Sequence, residues 1–210
     1  MANNTRQRLI DSARGRFYND GFRSVGIDSI YGDVGISKPA FYKHFESKDA
    51  LMVAVLEDVG VFIGKRFQEM VVEIGGPSAV AQLRAIMDVV EKFIEGDEFH
   101  GCFFVKAAME FPLPHDPVHQ LALHHKRAME EFICSLAERA HAKDPTSMAE
   151  EFCLILEGCY VTRSVTNNPQ TIAIARRMVD QLLERHLPVA VGSVRSAATT
   201  RTSSRATRTA

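Results

Sequence analysis

The residues between Lys38 and His44 carry the side chains best suited to chemistry with a polyanion. Lys38 and Lys43 offer ammonium groups, Tyr42 a phenol and His44 an imidazole, with small Ala40 among them. At helical spacing Phe41 and Phe45, four apart, share the inward face, and Lys38, Ala40, Tyr42, Lys43 and His44 are left outside it. A face of two lysines, a tyrosine and a histidine reaches phosphate oxygens and the acceptor edges of bases. An ordinary three-helix cluster with a solvated face would carry the same generic pattern.

A second group of reactive residues lies further on. Glu110, His115, Asp116, His119, His124 and His125 fall within sixteen residues. A divalent metal held by Glu110, His115 and His119 is conceivable. Against it, His119 and His124 stand about 140° apart around a helix, which is poor for chelation. No H-E-x-x-H or Cys/His finger spacing accompanies them, so histidines solvated near a turn are the simpler expectation. The four cysteines, Cys102, Cys134, Cys153 and Cys159, form no C-x-x-C pair and sit among apolar neighbours, which predicts reduced, buried core thiols. The sequence holds no P-loop, no G-x-S-x-G and no dinucleotide glycine pattern, so it gives no positive sign of an enzyme and implies no cofactor.

The elements that must position the first group read as helices throughout. Leu9, Ile10, Ala13 and Phe17 mark one face of a helix over Thr5–Asp20, stopped by Gly21. Ile27, Ile30 and Val34 mark a second, ending at Gly35. Lys38–Phe45 is a third, with Pro39 in its first turn, where a missing N–H is harmless. Three short helices with a glycine turn between the last two describe a helix-turn-helix, whose inward faces form a miniature core and whose third helix presents its outer face to the major groove. A longer helix follows from a Ser47 cap to about Val72, broken by Gly75-Gly76-Pro77-Ser78. Further helices are expected at 78–95, 101–110, 117–142, 146–166 and 169–187. The predicted fold is all-α, with a helix-turn-helix domain over 1–48, a helical domain over 49–188, and a tail over 189–210. That tail is Ser-, Thr-, Ala- and Arg-rich and should be disordered.

The charge is divided in the same way. Residues 1–50 carry a net +2, residues 51–188 a net −7 and the tail a net +4, together the −1 of the whole chain. Basic ends on an acidic middle fit a nucleic-acid-binding head on a body that avoids DNA. Apolar residues make up 46% of the chain, enough for a core, and no apolar run approaches the length of a membrane span. The opening Met-Ala-Asn-Asn-Thr-Arg lacks the apolar segment of a secretory signal, which points to the cytoplasm.

The string from Gly35 to Lys48, GISKPAFYKHFESK, followed by Leu51, resembles the recognition segment of TetR-family regulators. Gly21-Phe22 and Ile27-Asp28-Ser29-Ile30 match that family's first turn and second helix. The similarity is strong over about residues 5–56 and architectural beyond. It implies that Lys38, Pro39 and Ala40 lie nearest the base edges and that Tyr42 and His44 bind phosphate. Lys43 would reach a base or a phosphate, Lys48 would anchor the DNA backbone, and Ser37 would cap the helix and touch a phosphate. Gly26 departs from the family, which usually has Ser or Thr there, and glycine offers no side chain for the phosphate contact that the resemblance implies at that position.

The resemblance further implies a homodimer through the last two helices, double-stranded operator DNA as partner, and a small-molecule effector in the middle helices. Leu154, Leu156, Cys159, Ile174, Met178, Val179 and Leu182 supply apolar surface for the intrachain core and a self-complementary interface. Phe62, Met87, Phe93, Phe103, Phe104 and Met109 belong to an aromatic and thioether strip that would line an apolar pocket, although core packing explains most of such a strip. Three readings stay open: a repressor released by a lipophilic molecule, a regulator with a filled, unresponsive body, and a sensor of a divalent metal.

Overall fold

A computed structural model describes residues 2–95 and 99–188. Among these the chain forms nine α-helices and no strand: α1 (Ala2–Asp20), α2 (Ile27–Val34), α3 (Lys38–Tyr42), α4 (Lys48–Gly75), α5 (Ala79–Ile94), α6 (Phe103–Glu110), α7 (Pro117–Arg139), α8 (Pro145–Thr166) and α9 (Thr171–His186). The expected tail over 189–210 lies outside the described residues.

Short polar side chains start the helices where the sequence places them. Ser37, Ser47, Ser78 and Asp144 each accept a hydrogen bond from the backbone N–H three residues on. Gly35 ends α2 at φ 71°, and the amides of Gly35 and Ile36 return to the carbonyls of Gly32 and Tyr31. That left-handed turn costs glycine little, and it sets the angle between α2 and α3. Helix α3 stops at Tyr42, three residues short of the expected Phe45. The amides of His44 and Phe45 both turn onto the Phe41 carbonyl, at 2.8 and 3.1 Å, which tightens the last turn.

Two apolar cores follow. The first gathers Leu9 and Phe17 of α1, Ile30 of α2, Phe41 of α3 and Phe45 just beyond it. It continues through Leu51, Val55 and Val59 of α4 to Phe103, Phe104 and Ala107 of α6 and Val118 of α7. The second joins Phe67 and Val71 at the far end of α4 to α5, α7, α8 and α9. Helix α4 therefore belongs to both cores, and packing runs unbroken across the expected division at residue 48. Among the described residues no helix is long and apolar enough to cross a membrane.

Candidate nucleic-acid interface and ligand cavity

Phe41 and Phe45 are buried beneath α3, and this fixes what its other side presents. Ser37, Lys38, Pro39, Tyr42 and Lys43 are exposed, and Ala40 and His44 half-buried. The Ser37 hydroxyl accepts from the Ala40 amide at 3.4 Å, so it stands at the helix start. Lys48 is turned inward: its Nζ donates to the Arg23 carbonyl at 3.0 Å, tying α4 to the turn before α2. Burial lowers the pKa of its ammonium. Gly26 starts α2 without a side-chain cap. The face is braced from behind by Asp33, which accepts from Arg16 at 2.6 and 2.7 Å and from the Ser12 hydroxyl at 2.8 Å. Those hydrogen bonds hold its carboxyl at about 2, well below the usual carboxylate range.

Helix α6 grips the end of α1. The Glu110 carboxylate accepts the backbone N–H groups of Phe22 and Arg23 at 2.8 and 2.7 Å, and the Arg23 Nε donates to the Glu110 carbonyl at 2.9 Å. The Tyr18 hydroxyl donates to the Gly101 carbonyl and accepts from the His100 amide, while Lys106 donates to the Tyr18 carbonyl. Gly21, at φ 87°, lets the chain pass so close that a Cβ there would stand 3.1 Å from the Glu110 Oε1. Sequence reasoning missed Tyr18, Lys106 and this role of Glu110. The only signal was an acidic residue at the end of a short helix, which does not reveal a partner 88 residues away.

Behind α6 lies a cavity of about 480 Å³, walled by helices α4 to α8. Phe93, Phe103 and Phe104 line it together with Phe67, Phe99 and Tyr160. Polar groups are few and concentrated. Lys126 from α7 pairs with Glu157 from α8 and donates to the Cys102 sulfur at 3.5 Å. Burial drives the Tyr160 phenol far above its ordinary pKa. A second cavity of about 350 Å³ adjoins the first and shares Phe104 and His125 with it. Those two rings stack at 3.7 Å. Burial, with the charges of Lys126 and His124, lowers His125 to about 4 and keeps it neutral.

Several expectations are corrected here. Phe62 faces outward, 65% exposed, because its neighbours Val59 and Ile63 take the inner face of α4. Met87 fills the second core and touches neither cavity, and Met109 is 78% exposed on the outer side of α6. Of the cysteines only Cys159 is buried in the core. All four are free thiols, and Cys102 and Cys153 line the cavity. The metal alternative loses its ligands to other partners. Glu110 is engaged by two amides, the His119 Nδ1 lies 2.8 Å from the Phe111 carbonyl, and His115 is exposed. No group of three metal-ligating side chains occurs among the described residues.

A tri-helical head with a buried-Phe recognition helix, on a helical body that encloses a cavity, defines a helix-turn-helix DNA-binding regulator. Residues 9–55 match the family model for bacterial regulatory proteins of the tetR family, and residues 79–179 match that for the tetracyclin repressor-like C-terminal domain. The chain belongs to the TetR family of transcriptional regulators, which are DNA-binding proteins and not enzymes. It is 28% identical over 106 residues to the HTH-type transcriptional regulator YjdC of Escherichia coli (strain K12), a match over 50% of this chain and 56% of that protein. The chain thus spans about half the length of the first curated relatives it matches. Over 87% of this chain and 95% of the other, it superposes on a TetR-family transcriptional regulator from Streptomyces coelicolor with a TM-score of 0.78 and 26% identity. A TetR regulator from Chloroflexus aurantiacus shares the fold with a TM-score of 0.78 at 20% identity, over 89% and 98% of the two chains.

Proposed function

We propose that this regulator is a repressor that binds a palindromic operator as a homodimer and leaves it when a small apolar molecule fills the cavity behind α6. The observation that carries the reading is the physical continuity between cavity and head. Phe103 and Phe104 form the cavity wall, and the same helix holds the end of α1 through Glu110 and Lys106. A ligand that displaces α6 acts on the head through bonds it must strain or break. Such a ligand shifts the equilibrium only by its differential affinity for the two arrangements.

Lys38, Pro39 and Ala40 would meet base edges, with Ser37, Tyr42, Lys43 and His44 on phosphates or neighbouring bases. Lys48 contributes to this interface by fixing the turn at Arg23 with one of its three N–H donors, and the others remain for a phosphate. One short helix reads few base pairs, so two heads about 34 Å apart are needed for a specific site. The partner would cover Leu154, Val161 and Val165 of α8 with Ile174 and Met178 of α9, which leave this chain's surface apolar there. Leu156, Cys159, Val179 and Leu182 point into the chain's own core.

Selection of bound DNA from a random duplex pool tests this reading. A palindrome with half-sites roughly one helical turn apart is the expected product. Failure of a folded dimer to enrich any sequence at low salt would refute it.

A further inference from the structure

We propose that the effectors of this cavity include soft, apolar electrophiles of the α,β-unsaturated carbonyl class, captured covalently by the Cys102 sulfur. The inference rests on the reading of the cavity given above and names the chemistry of its occupant.

Four observations converge on it. Cys102 stands at the start of α6, yet its side chain makes no capping bond to that helix. Its sulfur lies on the cavity wall, 3.5 Å from the Lys126 ammonium, which Glu157 holds from the facing helix. The Tyr160 hydroxyl also lines the cavity and has no hydrogen-bond partner among the described residues. No sealed side-chain oxygen or nitrogen among the described residues lacks a partner, so the hydroxyl of half-buried Tyr160 keeps accessible surface and can serve a carbonyl oxygen. The remaining wall is aromatic, from Phe93, Phe99, Phe103 and Phe104, and fits a conjugated apolar chain or ring. A nucleophile, a proton donor and a carbonyl anchor therefore face one apolar space.

The step needs no other reactant. The Cys102 S–H adds across the carbon–carbon double bond. Sulfur bonds to the β-carbon, the π electrons pass onto the α-carbon and carbonyl as an enolate facing Lys126 and Tyr160, and the thiol proton ends on the α-carbon by way of the Lys126–Glu157 pair. Cys153 shares the cavity but not the role. Burial and the carboxylates of Glu130 and Glu157 push its thiol up to about 11, which keeps it protonated. The adduct would be felt by the head at once, because the carbonyl of the adjacent Gly101 accepts the Tyr18 hydroxyl.

The experiment treats the full chain with substoichiometric cinnamaldehyde and maps adducts by peptide mass spectrometry. A second arm uses its saturated analogue, 3-phenylpropanal. Cinnamaldehyde should modify Cys102 ahead of Cys134, Cys153 and Cys159, and Cys102→Ser should abolish the fast phase while Cys134→Ser, outside the cavity, leaves it. Lys126→Met should slow adduct formation about tenfold or more. Adducts spread evenly over the four cysteines, or an unchanged fast phase in Cys102→Ser, would overturn the proposal. In parallel, binding of untreated protein to the duplex enriched by selection is measured. Loss of that binding on cinnamaldehyde treatment, persisting after removal of free aldehyde and absent in Cys102→Ser, is the expected outcome. If untreated protein ignores DNA, the regulator reading fails, and the adduct map still decides the chemistry on its own.

Discussion

Asp33 shows how a single side chain can hold a recognition surface without touching what is recognised. Arg16 grips its carboxylate with two nitrogens and Ser12 adds a third bond, so α1 and α2 are fixed at the angle α3 needs. Its carboxyl titrates at about 2 in the folded chain against an ordinary 3.8. The folded value is the lower one, so the stabilisation is fully present above the ordinary value and is lost as pH falls through about 2. Asp33→Asn should lower the melting temperature at neutral pH, with the gap to the parent protein narrowing below about pH 4. A constant gap across that range, followed by circular dichroism, would count against the electrostatic account. The Phe residues at 41 and 45 were readable from spacing alone because burial follows helical period. The Arg16–Asp33 pair was not, since charges seventeen residues apart carry no register in the sequence.

At the scale of elements, the sequence marked boundaries where capping chemistry is local. Ser47 and Ser78 begin α4 and α5 as expected, and Gly35 ends α2. Boundaries shifted where a tertiary partner decides. Helix α6 starts at Phe103, two residues later than the expected 101, because Gly101 is drawn to Tyr18 instead. The aromatic strip was legible as a strip but not as a wall. Phe93, Phe103 and Phe104 reach the cavity while Phe62, Met87 and Met109 do not, and that sorting depends on how α4, α5 and α6 rotate against their neighbours. Glu110 gives this level its test. Glu110→Ala leaves the Phe22 and Arg23 amides without acceptors, and hydrogen bonds to a charged group at a partly exposed site are worth about 1–2 kcal/mol in total. Amide exchange at Phe22 and Arg23 should accelerate well before global unfolding, as read by hydrogen–deuterium exchange. Unchanged protection there would mean α6 does not hold the head.

In the whole molecule, α4 passes through both cores and α6 packs into the one that holds the head, so the head cannot shift as if on a free hinge. A body with a net −7 set behind a head with a net +2 orients the chain on DNA before any contact forms. What the sequence could not disclose was this continuity. Helical period marks Val55 and Val59 as inward-facing, but not that they pack in one cluster with Leu9 and Phe17 of α1, Phe104 of α6 and Val118 of α7. Under the proposed function the consequence is linkage: if an occupant of the cavity changes operator affinity, a bound operator changes the occupant's affinity by the same factor.

The most direct test is a reciprocal titration of the dimer with an apolar, environment-sensitive fluorophore such as N-phenyl-1-naphthylamine and the duplex enriched by selection. The account predicts that the enriched duplex, but not a scrambled one, weakens fluorophore binding, that the fluorophore weakens duplex binding by an equal factor, and that Glu110→Ala shrinks both effects together. Fluorophore and duplex binding the same dimer with no effect on each other would contradict it.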